Sequence, residues 1–254
     1  MAALKVRQGS SWTTISNGTD IKVRHNGSWV NPSEIGVRKD GAWVGVWYKS
    51  DPKTVSFRAT ATNSWRSTGW RGANDLRAGN FMGFGTHIGL MNFTNATSTG
   101  EISGSTITEV LATGRTTLTN VKLTLERDGA TGTNPFGNGS GTQNPYYVGY
   151  YNADGGTFAS GNASSLLTTT NMATISYSTL AGLGWNFNES KDLDLNANIG
   201  TQAATKYIWI SDRSTGWLPN TSSNDSPTYS EVYAAFEGDP SDSNCATLTF
   251  TADY

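Results

Sequence analysis

One short phrase occurs three times within the first fifty residues of this chain. Residues 6–12 read VRQGSSW, residues 23–29 read VRHNGSW and residues 37–43 read VRKDGAW. The second and third copies carry Asn-Gly or Asp-Gly, which adopt the two positive φ angles of a two-residue hairpin turn at the least cost. Each copy therefore predicts a strand, a tight turn and a second strand. Such small hairpins have almost no core, so they become stable by packing on their own copies or on a neighbouring protein.

Composition favours β-structure with long polar loops and excludes two classes of partner. Only 15% of the 254 residues are charged, against about 25% in an average globular protein. Ser, Thr and Asn make up about a third of the chain, beside 29 glycines. The net charge of −2 predicts no nucleic-acid partner. No stretch approaches the run of about 18 apolar residues that crosses a membrane, so no membrane insertion is expected.

The N-terminal residues and the cysteine content predict synthesis in the cytoplasm. Residues 1–7 lack the apolar core of a secretory signal peptide. Cys245 is the only cysteine, so it cannot form an intrachain disulfide.

Two domains are predicted. Residues 1–49 form the hairpin-repeat segment, and residues 50–53 form a linker because Pro52 cannot continue a strand ladder. Residues 54–254 form one large β domain. Alternation of polar and apolar residues predicts its strands, at 54–59, 87–93, 120–126, 206–210, 231–236 and 246–254.

The fold class predicted from these elements is all-β. The last strand alternates so strictly that we expect it to pair inside a sheet. Residues 129–145 and 217–227 predict irregular loops, and one short helix is predicted within residues 164–180. Many short strands with long connections indicate a small hairpin segment followed by a jelly-roll-like antiparallel β-sandwich.

The polar residues suited to catalysis lack a recognisable arrangement. His25 falls at a predicted hairpin tip, where we expect exposure, and His87 begins a strand without a neighbouring Ser-Asp pattern. Residues 137–141 (GNGSG) lack the spacing of a nucleophile elbow. Cys245 has no cationic neighbour in sequence that would lower its pKa. We predict that the chain is not an enzyme and needs no cofactor.

The carboxylates are interpreted as solvated acids. Asp192 and Asp194 alternate on one predicted strand face, and residues 237–242 (EGDPSD) form an acidic turn. Paired carboxylates also serve glycoside hydrolysis, which is the alternative interpretation. A surface Ca²⁺ site at Asp192, Asp239 or Asp242 stays open, but no EF-hand spacing supports one, and no metal site is predicted.

Aromatic residues are the better binding candidates. Sugar rings stack on exposed Trp and Tyr faces while nearby polar groups bind the hydroxyls. Six aromatic residues in or beside predicted loops are the candidate glycan-stacking residues, with burial under their own loops as the alternative: Trp65, Trp70, Tyr146, Tyr147, Trp185 and Trp217. Trp209 lies on an alternating strand and is predicted to be buried.

Tryptophans of the hairpin segment are the candidate interface residues. Aromatic residues are enriched at protein interfaces. We expect the hairpin tryptophans to pack in the hairpin layer or against a partner subunit: Trp12, Trp29, Trp43 and Trp47.

The hairpin repeats resemble a known class of segment. Residues 24–30 (RHNGSWV) and 38–44 (RKDGAWV) resemble segments common in minor tail proteins of tailed bacteriophages. The remainder resembles the β-sandwich domains of such tail proteins and of cell-surface proteins with DNRLRE-type domains. The Asp-Asn-Arg core of that signature is absent, and only residues 74–77 (NDLR) approach it. The likeness of the sandwich lies in residues 57–66, in strands predicted around Thr106-Ile107 and at 121–125, and in residues 233–238 and 248–250.

This resemblance implies a structural protein of the virion, made in the host cytoplasm. It implies a minor tail, tail-tip or fibre protein whose residues 1–49 attach to other virion proteins or sister subunits. It further implies a homo-oligomer, with a trimer favoured, and a sandwich that contacts the host surface through glycans or protein. Two alternatives stay open: a capsid decoration or head-fibre protein, and a free carbohydrate-binding module or glycan hydrolase.

Overall fold

The chain divides into two compact units in the computed structural model. The structure describes residues 5–8, 10–14, 22–32, 34–48, 50–66, 69–81, 85–128, 145–151, 172–212 and 232–254. One unit comprises Met1–Pro52 with Asp253–Tyr254, and the other comprises Lys53–Ala252. The boundary falls inside the predicted linker, residues 50–53. The predicted loop at 217–227 and most of the predicted loop at 129–145 lie outside the described residues.

The first unit contains the three predicted hairpins, each a separate two-stranded antiparallel sheet. Asn26 and Gly27 have φ angles of 48° and 83°, and Asp40 and Gly41 have φ angles of 52° and 85°. These are the paired positive angles that a two-residue hairpin turn requires, so the prediction is confirmed for both turns. The hairpins are β1 (Lys5–Gln8) with β2 (Ser11–Thr14), β3 (Val23–His25) with β4 (Ser28–Val30), and β5 (Glu34–Lys39) with β6 (Ala42–Tyr48).

The second unit is a β-sandwich, so the all-β prediction is confirmed. Its described strands are β7 (Lys53–Arg58), β8 (Ala61–Arg66), β9 (Gly69–Ala73), β10 (Asp75–Phe81), β11 (Gly85–Asn92), β12 (Ser98–Gly100), β13 (Thr117–Glu126), β14 (Tyr146–Tyr151), β15 (Ala173–Ile175), β16 (Ser190–Asp194), β17 (Tyr207–Ser211), β18 (Val232–Glu237) and β19 (Thr247–Asp253). The first sheet has the order β15-β14-β17-β11-β10-β18, with β8 pairing with β11 and β9. The second sheet has the order β12-β7-β19-β13-β16.

The core lies between the inner faces of these two sheets. Val55 and Phe57 of β7 are buried, as are Leu248 and Phe250 of β19, while the residues between them face outward. Strand β19 lies between β7 and β13, so the prediction that the last strand pairs inside a sheet is confirmed. Buried side chains of both sheets belong to one apolar cluster. Each fully buried Leu or Phe stabilises the fold by about 1.5–3 kcal/mol.

In the described part of the chain, three short helices connect the strands, and the first of them corrects one sequence expectation. They are α1 (Ile107–Ala112), α2 (Tyr177–Gly182) and α3 (Ala197–Gln202). The strand expected around Thr106-Ile107 is wrong, because Thr106 caps α1 in a capping box with Glu109. Of the helix expected within residues 164–180, residues 164–171 lie outside the described residues, residues 173–175 form β15, and residues 177–180 belong to α2 as expected.

The packing of Trp209 requires a glycine on the neighbouring strand. Gly149 of β14 pairs directly with Trp209 of β17. The indole is fully buried, and its Nε1 donates a hydrogen bond of 3.2 Å to the carbonyl oxygen of Tyr150. A Cβ atom on Gly149 would lie 2.6 Å from a ring carbon of Trp209. The prediction that Trp209 is buried is confirmed, and the burial depends on the absence of a side chain at Gly149.

We expect Gly149→Ala to lower the free energy of unfolding by about 1–3 kcal/mol, because the added methyl group displaces a buried ring. Urea denaturation followed by circular dichroism measures the change. The matched control is Gly182→Ala in α2, where a Cβ meets no atom within 4 Å. Alanine is the better helix former by about 1 kcal/mol, so the control should be neutral or stabilising. Equal midpoints for the two variants would contradict the packing argument.

Candidate functional site

An arginine lies opposite the tryptophan in each of the three hairpins. The Cα partners are Arg7 with Trp12, Arg24 with Trp29 and Arg38 with Trp43. In each hairpin, the Arg–Trp pair is the second cross-strand pair counted from the turn. Residues directly opposite each other in an antiparallel pair lie on the same face, so the backbone register places one arginine and one tryptophan on a shared face of each hairpin. An Arg-x₄-Trp spacing around a two-residue turn is the sequence signal for this pairing, which the sequence predictions did not use.

The middle hairpin leaves its large apolar side chains exposed to solvent. Trp29 is 68% exposed, and the cross-strand partners Val23 and Val30 are 42% and 40% exposed. Residues 25–31 are all exposed, including His25, as predicted for a hairpin tip. Because successive residues of a strand point to opposite faces, the indole and the two valines present apolar surface on both sides. We call residues 22–32 the exposed hairpin.

The remaining tryptophans of the hairpin segment have defined backbone positions. Trp12 lies on β2, and Trp43 and Trp47 lie on β6. Trp47 is the cross-strand partner of Ile35, next to a register shift in this hairpin. Their role in an interface stays a prediction.

The glycan-stacking prediction is wrong for two residues, Tyr146 and Trp185, because both are buried. Tyr146 is completely buried, and its hydroxyl donates to the carbonyl oxygen of Ala78 at 3.3 Å. Trp185 packs against Phe236 with ring centroids 5.4 Å apart, and the Arg127 guanidinium donates to its carbonyl oxygen at 2.8 Å. Alternation along β14 turns Tyr146 into the core, so neither aromatic face is open to a sugar.

The other four stacking candidates have different fates. Trp65 and Trp70 lie near the adjoining ends of β8 and β9 as direct cross-strand partners, beside the connection between the two strands. Tyr147 is half-buried on β14, one residue away from the core position of Tyr146. Trp217 lies outside the described residues. A glycan-stacking role for Trp65, Trp70 and Tyr147 stays a prediction.

The alternating acids lie on the outer face of the second sheet, as predicted. Asp192 and Asp194 are both exposed on the edge strand β16. Asp192 accepts a hydrogen bond from the Thr124 hydroxyl at 2.7 Å and forms an ion pair with Lys122 at 3.2 Å. These contacts cross from β16 to β13 on a flat sheet surface. They link the carboxylate to its neighbouring strand, which is a structural role.

The acidic turn that follows β18 is held by its own carboxylates. Asp239 accepts hydrogen bonds from the main-chain nitrogen and the hydroxyl of Ser241, at 2.9 and 2.8 Å. These bonds lower the pKa of Asp239 below its ordinary value. Glu237 accepts from the main-chain nitrogen of Asp239 and Asp242 from that of Asn244. Within the described ranges, no group of three His, Cys, Asp or Glu residues is arranged to hold a metal ion.

The cysteine and the second histidine are both buried. Cys245 is 1% exposed, and loss of hydration raises the pKa of its thiol from 9.0 to about 11. A thiol with so high a pKa is protonated at neutral pH and is a poor nucleophile. His87 is buried on β11, where its main-chain carbonyl accepts a hydrogen bond from the Ser211 hydroxyl.

A pocket of about 570 Å³ lies at the β12 edge of the second sheet. Asp192 lies on β16, at the other edge of the same sheet. The pocket lining comes from β7, β12 and β19, from the turn at residues 95–97 and from Pro240 in the acidic turn. None of the predicted aromatic residues is among its described lining residues. The lining residues are far apart in sequence, so no local motif predicts the pocket. We call it the Arg58 pocket after the one charged residue among the described lining residues.

Comparisons with known proteins leave the family open. A scan against protein-family models finds no match, and searches of curated proteins and of solved structures find none either. In the part of the chain that the structure describes, no helix has the length and apolar character needed to cross a membrane. The function is therefore argued from the residues themselves.

Burial of Cys245 predicts a pH dependence of stability. Between about pH 9 and pH 11, the unfolded chain releases the thiol proton while the folded chain retains it. The unfolded state then binds fewer protons, so the free energy of unfolding falls as the pH rises through this window. Chemical denaturation at several pH values should show a smaller fall in Cys245→Ala than in the unaltered protein, each relative to its own value at pH 8. Every other group is the same in both proteins, so parallel curves would contradict the prediction.

Proposed function

We propose that this chain is a structural protein of a tailed-bacteriophage particle. In this proposal, the hairpin segment (residues 1–49) attaches to other virion proteins or to sister subunits. The sandwich (residues 54–254) projects from the particle and contacts the host surface. The support comes from the thrice-repeated hairpin, its resemblance to minor tail protein segments, and the polar outer face of the sandwich.

The observation that carries the proposal is the exposure of Trp29. A tryptophan side chain presents about 150–250 Å² of surface. At about 25 cal/mol per Å², burial of the exposed two-thirds of Trp29 is worth roughly 3–4 kcal/mol to an association. Val23 and Val30 add to this gain on the other face of the hairpin. A small hairpin that leaves its largest apolar side chain in water is suited to a partner surface.

A homo-oligomer, with a trimer favoured, fits the same surface. The motif is repeated, so a second and third copy of the chain can contact several hairpins of the same strand-turn-strand design. Each contact alone is small, and joining several raises the effective concentration of the others. Analytical ultracentrifugation of the purified chain tests the assembly state.

Trp29→Ala should separate assembly from folding. Because the indole is exposed, we expect the free energy of unfolding of the isolated chain to change by less than about 0.5 kcal/mol. We expect weaker self-association or weaker incorporation into particles. The control Phe187→Leu removes another exposed aromatic ring, over which the Arg127 guanidinium lies 3.9 Å from the ring centroid, so it should lower the free energy of unfolding by about 0.5–1 kcal/mol and leave assembly intact. Unchanged assembly of Trp29→Ala would remove the main support for the attachment role.

Deletion of residues 1–49 tests the division of labour. Since the sandwich has its own core, we expect a folded product with cooperative thermal unfolding. This product should fail to enter particles assembled in its presence, as judged by immunoblotting of purified virions. Full incorporation of the truncated chain would refute the attachment role of the hairpin segment.

Two measurements distinguish the alternatives. Immunoblotting of separated heads and tails distinguishes a tail protein from a capsid decoration or head-fibre protein. A reducing-sugar assay on host-surface polysaccharide tests for a hydrolase. Turnover that disappears on substitution of Asp192 or Asp194 would overturn the prediction that the chain is not an enzyme.

A further inference from the structure

We propose that the Arg58 pocket binds one acidic sugar residue, such as a uronate or a sialate, with Arg58 pairing with the sugar carboxylate. The inference deepens the host-contact half of the proposed function and rests on it for biological context. It replaces the aromatic platform expected from the sequence with a polar pocket. Three features of the pocket support this assignment: an available cation, hydroxyl and amide groups around it, and walls held by hydrogen bonds.

Arg58 is the available cation. It is exposed at the end of β7, opposite Thr247 of β19, and forms no ion pair with any described carboxylate. Glu237 and Asp239, which flank the Pro240 side of the pocket in sequence, accept hydrogen bonds from main-chain nitrogens of the acidic turn. A guanidinium matches the planar geometry of a carboxylate and donates two parallel hydrogen bonds to it. One cation in the lining suits one negative charge on the ligand.

The groups around Arg58 suit the hydroxyls of a sugar. The lining includes Asn95 and Thr97, both exposed, whose side chains make no hydrogen bond to any described residue. The hydroxyls of Thr60 and Thr247 donate to the main-chain oxygens of Asn92 and Cys245. Each threonine oxygen therefore keeps lone pairs that accept from a ligand hydroxyl. A simple carboxylate such as acetate would leave these groups unused.

The pocket walls are held in place before any ligand binds. The turn at residues 93–96 closes with a 3.0 Å hydrogen bond from Ala96 to the carbonyl oxygen of Phe93. Thr60 ties this turn to β7 through its main-chain nitrogen, 2.8 Å from the carbonyl oxygen of Asn92. The acidic turn closes with a bond from Asp242 to Asp239. Fixed walls reduce the entropy lost on binding.

The size and shape of the pocket fit a small ligand. Its volume of about 570 Å³ lies in the range of about 300–1,000 Å³ that is usual for small-molecule sites. Pro240, which is partly exposed, adds apolar surface against which the carbon face of a sugar ring can pack. A long protein or nucleic-acid partner would need a wider charged surface than this single arginine provides.

Titration of the full-length chain tests the proposal. The probes are sodium glucuronate and N-acetylneuraminate, with glucose and sodium acetate as neutral and carboxylate-only comparisons. Chemical-shift changes or calorimetry should show millimolar binding of at least one acidic sugar, and binding of glucose and acetate about tenfold weaker or undetectable. A tenfold difference is within what one charge-assisted pair contributes.

Two variants and one control locate the site. Arg58→Gln should weaken acidic-sugar binding by about tenfold or more, and Thr97→Val should weaken it by a few-fold while keeping the side-chain shape. Lys122→Gln removes a positive charge from the same sheet outside the pocket and should leave the affinity unchanged. Arg58 and Thr97 are exposed and Lys122 is partly buried on the outer face of its sheet, so thermal unfolding should confirm that each variant folds.

Four results would overturn the assignment. They are the absence of binding by either acidic sugar, equal binding of glucose, equal binding of acetate, and acidic-sugar binding that survives Arg58→Gln. Because the titration does not involve particles, its failure leaves the attachment role of the hairpin segment standing. Conversely, a chain that binds acidic sugars but never enters particles supports the pocket and refutes the virion assignment.

Discussion

Phe57 and Phe250 stack between the two sheets of the sandwich, with ring centroids 5.4 Å apart and no exposure to solvent. Phe57 lies on β7 and Phe250 on β19, which are adjacent in the sheet. The contact therefore joins the first and last strands of the sandwich, which stand almost the whole domain apart in sequence. Burial of the inner faces is possible because apolar residues alternate with threonines and serines along β7 and β19. The same alternation leaves a polar outer face, on which Arg58, Thr247 and Asp192 all lie.

The hairpin segment, unlike the sandwich, depends on local turn preferences and not on a buried core. Its turns are specified locally by Asn26-Gly27 and Asp40-Gly41, yet the exposed hairpin buries nothing that would hold it rigid on its own. The sandwich obtains its stability from long-range contacts and keeps its surface polar. A chain with these two parts is physically suited to a division between attachment and recognition. The proposed function assigns the first role to the hairpins and the second to the sandwich.

Several details show where sequence reasoning succeeded and failed. Strand positions such as β13 and β19 followed from alternation, because the period of two is a local property of the chain. Helix α1 was readable from the capping box of Thr106 and Glu109, but the resemblance to tail-protein sandwiches placed a strand there. Tyr146 and Tyr147 are adjacent, and only the face that packs on Ala78 decided which ring is buried. Trp185 was misjudged because Arg127 and Phe236, which cover it, are distant in sequence.

By itself, the sequence determined the all-β class, the hairpin turns, the linker and the alternation of the strands, since each depends on backbone preferences and on the order of a few neighbouring residues. Tertiary structure alone decided which aromatic side chains remain accessible and where a concave site forms. The Arg58 pocket joins residues separated by almost two hundred positions, from Ser56 to Thr247, on strands that meet only when the sheet assembles. Pairing between distant strands depends on the burial of their shared inner face, and no local pattern records which strands become neighbours.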